Sequence, residues 1–136
     1  MTSLFDRIPH RPPWLLVDRV VEAGGDRVLA ERRVSADDPL AQHGLPELLT
    51  VEALAQAAAC LNAGQLGAHR GYLVAATGFS FDGRAQPGET LLLEATRTAA
   101  LGGLHRFEGV ARAVNFGGEA RIVARGQMTF AVEKIA

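Results

Sequence analysis

Excess charge, long apolar runs and cysteine are all scarce in this chain. The 14 Lys and Arg residues nearly balance the 15 Asp and Glu residues, which gives a formal net charge of −1. Without surplus positive charge or a local basic stripe, we expect no nucleic acid bound through its phosphates. No run reaches the apolar length of a membrane span, and the N-terminus lacks a signal-peptide core. The single cysteine, Cys60, excludes an internal disulfide, so we expect a cytoplasmic protein without a membrane partner.

Motifs that need clustered ligands or fixed glycine spacing are also missing. Four scattered histidines and one cysteine form no metal-ligand cluster, so we expect no metal site. The glycine pairs at 24–25, 102–103 and 117–118 match no phosphate loop or dinucleotide fingerprint and indicate hairpin turns. What is present is an ordinary globular composition of 136 residues, 48% of them hydrophobic, which suits a single domain over residues 1–136.

The order of the predicted elements favours an α+β fold. A short helix capped by Ser3 comes first, and the main helix runs from Thr50 to about Asn62. Strands are predicted at 14–23, 27–34, 72–85, 90–100, 104–114 and 119–132. Alternation along the last of these strands places one set of residues on a common face, namely Ile122, Ala124, Met128, Phe130 and Val132. Because no crossover helices separate the last four strands, this order implies an antiparallel sheet with one helix on a single face.

Two polar side chains interrupt the main helix, whose sequence VEALAQAAACL is apolar almost all round. Glu52 and Gln56 are four residues apart and therefore share one helix face. If Thr50 caps the helix, Glu52 lies in its first turn. A carboxylate in that position is commonly explained by its favourable interaction with the helix dipole alone. In so apolar a helix, however, a carboxylate must be partnered or kept neutral, and a neutral carboxylic acid can donate a proton.

A lone loop histidine, His43, is separated from Thr50 by six residues and could fold back over the helix N-terminus. Taken alone, such a histidine is more often incidental than catalytic. Here the unpaired backbone N–H groups from Leu49 to Val51 could also stabilise an oxyanion. A base, an acid and oxyanion donors would then meet, as proton abstraction next to a carbonyl requires. The weaker candidates are the other histidines, His10, His69 and His105.

Three stretches resemble the FabZ-type 3-hydroxyacyl-[acyl-carrier-protein] dehydratases. The opening IPHRPPWLLVDRVVE (8–22) is similar to that family's Pro-His-Arg, short apolar run and Asp-Arg-Val. VEALAQAAA (51–59) resembles the start of its central helix, and residues 81–113 resemble its later strands. The resemblance implies a hotdog fold, in which a curved antiparallel sheet wraps one long helix and usually pairs edge to edge in a dimer.

The resemblance also implies a reaction, the reversible loss of water from a 3-hydroxyacyl thioester. His43 would remove the proton at C2, and Glu52 would assist departure of the 3-hydroxyl. Gln56 matches the family's Gln one turn on and would orient the substrate, while the N–H of Leu49 or Thr50 would polarise the thioester carbonyl. No cofactor of the protein's own is implied, because the phosphopantetheine arrives with acyl carrier protein or acyl-CoA. Its phosphate could be received by Arg70, Arg84 or Arg106.

The loop before the helix departs from the FabZ pattern. Only GLPELLTV separates His43 from Glu52, without the family's Pro-Gly, and this short loop is similar to dehydratase-like proteins of aryl polyene pathways. The His-Gly and the nine-residue spacing to Glu52 are also similar to hotdog acyl-CoA thioesterases, in which the carboxylate would activate water.

Two alternatives to the dehydratase therefore stay open, a thioesterase and a non-catalytic hotdog subunit of a dehydratase complex. We prefer the dehydratase, because the opening of the chain and its helix both favour it. The assembly we expect is a homodimer, with a higher oligomer or a heterodimer with a second hotdog protein as alternatives.

Overall fold

One helix lies against a six-stranded antiparallel sheet in the computed structural model, which describes residues 8–9, 11, 14–66 and 69–134. The helix, α1, spans Glu47–Leu66. The strands are β1 (Arg19–Gly24), β2 (Arg27–Arg33), β3 (His69–Phe81), β4 (Thr90–Leu101), β5 (Leu104–Val114) and β6 (Ala120–Lys134). The predicted α+β order is thereby confirmed. The short helix predicted after Ser3 lies outside the described residues.

The strand order in the sheet is β1-β2-β4-β5-β6-β3, and every neighbouring pair runs antiparallel. Short turns join β1 to β2, β4 to β5 and β5 to β6, whereas α1 lies in the connection from β2 to β3. As a result β3 forms one edge of the sheet, beside β6. Several large apolar side chains of β3 are partly exposed to solvent, namely Tyr72, Leu73, Val74 and Phe81.

Small residues allow α1 to lie close to the sheet. Leu54 projects from the helix toward Gly109 on β5, where an added Cβ would lie 3.3 Å from Leu54 Cδ1 and 2.9 Å from Met128 Cε. The helix alanines that are buried are Ala53, Ala55, Ala57 and Ala58. The core between helix and sheet is therefore filled without room for an extra methyl group at this point. No helix among the described residues is long and apolar enough to cross a membrane.

A polar link fixes the C-terminal half of α1. The Arg97 guanidinium donates to Asn62 Oδ1 at 2.8 Å and to Asp26 Oδ1 at 2.8 Å. It also lies over the Phe107 ring, 5.4 Å from the centroid. Because Asp26 belongs to the turn between β1 and β2, this link joins the helix to both β4 and the first hairpin.

Gly126 on β6 tests how tightly the sheet is packed. An added Cβ would lie 2.4 Å from Cγ and Cδ2 of Phe79, so the ring or the backbone would have to move. We expect Gly126→Ala to lower the free energy of unfolding by about 1–3 kcal/mol. Gly24→Ala is the control, because an added Cβ there meets nothing within 4 Å. Its change should stay within about 0.5 kcal/mol. Urea unfolding monitored by far-UV circular dichroism measures both, and equal stability of the two variants would contradict the packing.

Candidate active site

The helix begins three residues earlier than the sequence predicts, at Glu47 instead of Thr50. The Pro46 carbonyl accepts hydrogen bonds from the N–H groups of Leu49 and Thr50, each at 3.0 Å. A proline suits a helix entry, because its φ is fixed near the helical value and it has no N–H to leave unpaired. The prediction of a Thr50 cap with Glu52 in the first turn is therefore wrong. Glu52 lies in the second turn.

The earlier start changes which backbone donors face outward at the helix N-terminus. The N–H groups of Leu49 and Thr50, predicted as oxyanion donors, are already bonded to Pro46. The Glu47 N–H bonds its own carboxylate. The Leu48 N–H forms no hydrogen bond with the residues that the structure describes. Leu48 therefore supplies the first-turn donor that remains for a ligand.

Glu52 and Gln56 are in contact, as their spacing suggests. Gln56 is 1% exposed, and its Nε2 donates to Glu52 Oε1 at 3.2 Å. The same nitrogen donates to the Trp14 carbonyl at 2.9 Å, and Gln56 Oε1 accepts from the Leu16 N–H at 2.8 Å. Glu52 itself is half-buried. The amide thus ties the carboxyl of the candidate acid to the backbone of residues 14–16.

His43 lies on an exposed turn whose shape depends on the next residue. Gly44 has a φ of 87°, and an added Cβ would lie 2.7 Å from Gln86 Nε2 and 2.8 Å from Arg84 Cβ. The Leu45 N–H then donates to the Ala85 carbonyl at 2.9 Å. Only glycine fits so close to residues 84–86 with this backbone conformation. His43 makes no hydrogen bond or ion pair with the described residues, so no such contact links it to Glu52. A site shared by these two side chains therefore stays a prediction.

A buried ion pair anchors the segment that leads to His43. Arg32 on β2 and Asp38 are 8% and 7% exposed, and the guanidinium donates to Asp38 Oδ2. The other carboxylate oxygen accepts from the Leu40 N–H at 2.9 Å, and the Asp38 carbonyl accepts from the Ala41 N–H at 3.1 Å. Since a buried charge that loses its partner is strongly destabilising, this pair holds the segment in one conformation.

Of the three arginines suggested for phosphate, only Arg84 is seen near the His43 turn. Its guanidinium donates to Glu47 Oε1 at 3.0 Å and Oε2 at 2.9 Å. These hydrogen bonds are the main reason that the pKa of the Glu47 carboxyl lies below its usual value. The hydrogen bond from the Glu47 N–H has a smaller effect in the same direction. Arg106 is exposed near the start of β5, at the opposite end of the sheet. Arg70 belongs to β3, but its side chain lies outside the described part.

Sequence reasoning missed Arg121, which lies next to Arg84. Its guanidinium donates to the Arg84 carbonyl at 2.9 Å and to both oxygens of Glu89. Hydrogen bonding to Arg121 is the main cause that lowers the pKa of the Glu89 carboxyl. No sequence signal marks this contact, because Arg84 and Arg121 are 37 residues apart.

Of the remaining histidines, His105 is the one whose side chain the structure describes. His105 is half-buried on β5, and its burial, with a smaller effect of the Arg97 charge, lowers its pKa. It lies on the part of β5 remote from the His43 turn. His10 and the side chain of His69 lie outside the described residues. Within the described part of the chain, no three His, Cys, Asp or Glu side chains are grouped as metal ligands.

Comparison with known families identifies the chain. A family model described as ApeP-like, ApeP dehydratase, matches residues 2–132. The chain belongs to the ApeP-like dehydratase family. It is 38% identical over 117 residues to the 3-hydroxyacyl-[acyl-carrier-protein] dehydratase FabZ of an Acidovorax species, covering 77% of this chain and 81% of that protein. The FabZ of Ruminiclostridium cellulolyticum is 34% identical over 140 residues, covering 93% and 92%.

Solved structures confirm the hotdog fold that the resemblance implied. The dehydratase heterocomplex ApeI:P from Xenorhabdus doucetiae aligns with a TM-score of 0.79 at 18% identity, covering 98% of this chain and 93% of that one. A thioesterase family protein from Silicibacter pomeroyi aligns with a TM-score of 0.78 at 18% identity, covering 96% of each. The backbone of this chain is thus about equally similar to that of a dehydratase and that of a thioesterase. The fold alone therefore does not decide the activity.

Proposed function

We propose that this chain removes water from a 3-hydroxyacyl thioester on acyl carrier protein and forms the trans-2-enoyl thioester. The observation that carries the proposal is the half-buried residue Glu52, whose carboxyl accepts a hydrogen bond from the Gln56 amide at 3.2 Å. A carboxyl fixed on an apolar helix suits general acid catalysis. Membership in the ApeP-like dehydratase family and identity to FabZ dehydratases support the same reaction.

In the proposed reaction, His43 takes the proton from C2 and Glu52 gives a proton to the departing 3-hydroxyl. The C2–H and C3–O bonds break, the C2=C3 double bond forms, and water leaves. His43 ends as the imidazolium and Glu52 as the carboxylate, so a proton returns from one to the other through solvent before the next turnover. The Leu48 N–H takes the carbonyl-polarising role first expected of Leu49 or Thr50.

The phosphopantetheine phosphate of the substrate requires a cation near the entrance of the site. We assign this contact to Arg84, because it lies against Gly44 in the His43 turn. Glu47 occupies the edge of the guanidinium formed by Nε and Nη2, so Nη1 of this 38% exposed side chain is the donor we assign to the phosphate. The absence of a resident cofactor and a cytoplasmic location stay predictions.

Two thioesters assayed in parallel test the reaction. With a 3-hydroxyacyl thioester we expect ultraviolet absorbance of the enoyl product, and with a saturated acyl-CoA no free thiol. His43→Ala and Glu52→Gln should each lower kcat/KM by about 10²–10⁴-fold, because each removes a proton-transfer group. Glu108→Gln is a matched control on exposed β5 surface and should leave the rate unchanged.

Three results would contradict the proposal. Free thiol from the saturated acyl-CoA would identify a thioesterase in which Glu52 activates water. Turnover of neither substrate would favour a non-catalytic subunit. Full activity of Glu52→Gln would remove that residue from the reaction.

The exposed edge of β3 supports pairing with a second hotdog chain. In the purified protein, this partner would be a second copy of the same chain. Val74 is 55% exposed on this strand, and β3 has a neighbour on one side only, β6. An unpaired strand edge with apolar side chains is a template for another strand. The heterocomplex of the structurally similar ApeI:P makes a different hotdog partner the alternative.

Sedimentation measures this assembly. We expect a dimer mass for the wild-type chain and a monomer mass for Val74→Lys, because a charged residue blunts edge pairing. Val21→Lys on β1, at the opposite edge of the sheet and 39% exposed, is the matched control. A Val74→Lys dimer would show that β3 is not the interface.

A further inference from the structure

We propose that Gln56 is a positioning residue that places the transferable proton of Glu52 on Oε2, by linking Oε1 to the backbone of residues 14–16. The inference rests on the proposed role of Glu52 as the acid. It replaces the substrate-orienting role that the sequence suggested for Gln56. The three hydrogen bonds of the Gln56 amide are its basis.

Two backbone groups determine which way the Gln56 amide points. The Leu16 N–H can only donate, so the Gln56 atom 2.8 Å from it must be the oxygen. The Trp14 carbonyl can only accept, so the atom 2.9 Å from it must be the nitrogen. The oxygen and the nitrogen of a Gln amide are ordinarily told apart by the hydrogen-bond partners around them. Here two independent backbone partners require the same orientation.

The orientation of the amide then determines the chemistry at Glu52. Gln56 Nε2 carries two N–H groups, one bonded to Trp14 and the other directed at Glu52 Oε1, 3.2 Å away. Glu52 Oε1 is therefore an acceptor whether or not the carboxyl is ionised. When Glu52 is protonated, this hydrogen bond favours the form that carries the proton on Oε2.

Gln56 has no donor left for a substrate. Both N–H groups are engaged within the protein, and the residue is only 1% exposed. Any effect of Gln56 on turnover must therefore pass through Glu52 or through residues 14–16. This separates a positioning role from substrate binding, because the two roles change kcat and KM differently.

Two variants of Gln56 test the proposal. Gln56→Met keeps the length of the side chain but cannot hold Glu52, so we expect kcat to fall about 10²-fold with KM unchanged. Gln56→Glu keeps the shape but directs an oxygen at Glu52 Oε1 and the Trp14 carbonyl. The two carboxyl groups of this variant must share a proton, so the acid form persists and the alkaline limb of the kcat/KM profile moves to higher pH. Gln127→Glu on exposed β6 surface is the matched control and should leave the profile unchanged.

Two readouts do not depend on turnover. Trp14 is the only tryptophan, so its fluorescence reports whether residues 14–16 stay docked in each variant. In the wild-type chain, nuclear magnetic resonance should show one of the two Gln56 Nε2 protons shifting as Glu52 titrates, and Glu52→Gln should abolish that shift.

The outcomes separate this inference from the proposed function. An unshifted alkaline limb in Gln56→Glu, or a raised KM with unchanged kcat in Gln56→Met, would overturn the positioning role. An Nε2 resonance that ignores the titration of Glu52 would overturn it as well, even in an inactive protein. A wild-type chain that fails to remove water while its Nε2 resonance follows Glu52 would instead refute the proposed function and leave the link between the two side chains supported.

Discussion

The hydrogen bonds of the Gln56 amide connect three parts of the chain, residues 14–16, helix α1 and the Glu52 carboxyl. A buried amide is tolerated only if its polar atoms are paired, since each unpaired group costs about 1–3 kcal/mol. The alanine-rich helix supplies no other partner, so the N-terminal segment has to run beside it. Leu16 and Val17 are then buried at 1% and 0% exposure, and β1 begins directly afterwards at Arg19. One polar side chain in an apolar helix thereby fixes both the start of the sheet and the orientation of the candidate acid.

The supports of Glu52 and of His43 are both attached to β2. The N-terminal segment that holds Gln56 continues to Asp18, whose N–H donates to the Glu31 carbonyl at 2.8 Å and whose carboxylate accepts from the Arg33 N–H at 2.6 Å. Arg32 lies between Glu31 and Arg33 on β2, and it forms the buried ion pair with Asp38 that anchors the segment before His43. One strand thus carries the supports of both candidate residues.

Patterns local in sequence predicted most of the fold, and contacts between distant residues decided the rest. The strand β5 has the predicted bounds, and Glu52 and Gln56 meet as residues four apart on a helix should. The helix start was predicted wrongly, because Thr50 is a good cap by composition whereas Pro46 accepts the first helical hydrogen bonds. The Gln56 partners could not be predicted, since they lie 40 and 42 residues away. A buried glutamine indicates only that partners exist.

A bulge explains the error in the alternation predicted for β6. The pattern placed Ile122 and Ala124 together on one face, yet Ile122 is 36% exposed, while Ala124 is 1% exposed. The ladder with β5 skips a residue here, pairing Ala111 with Ala124 and Arg112 with Ile122. Val123 is the extra residue, and its carbonyl accepts from the Asp82 N–H at 2.9 Å. Such a shift changes which side chains face the core, and period-two patterning does not reveal it.

The hotdog scaffold is shared by dehydratases and thioesterases, so the proposed activity of this chain depends on where protons move. Hydration of a trans-2-enoyl thioester in heavy water tests it most directly, because the reverse reaction uses the same two groups. We expect a 3-hydroxyacyl thioester with one deuterium on C2, detected by mass spectrometry and absent when the chain is omitted. An unchanged enoyl thioester, or one cleaved to the free thiol, would contradict it.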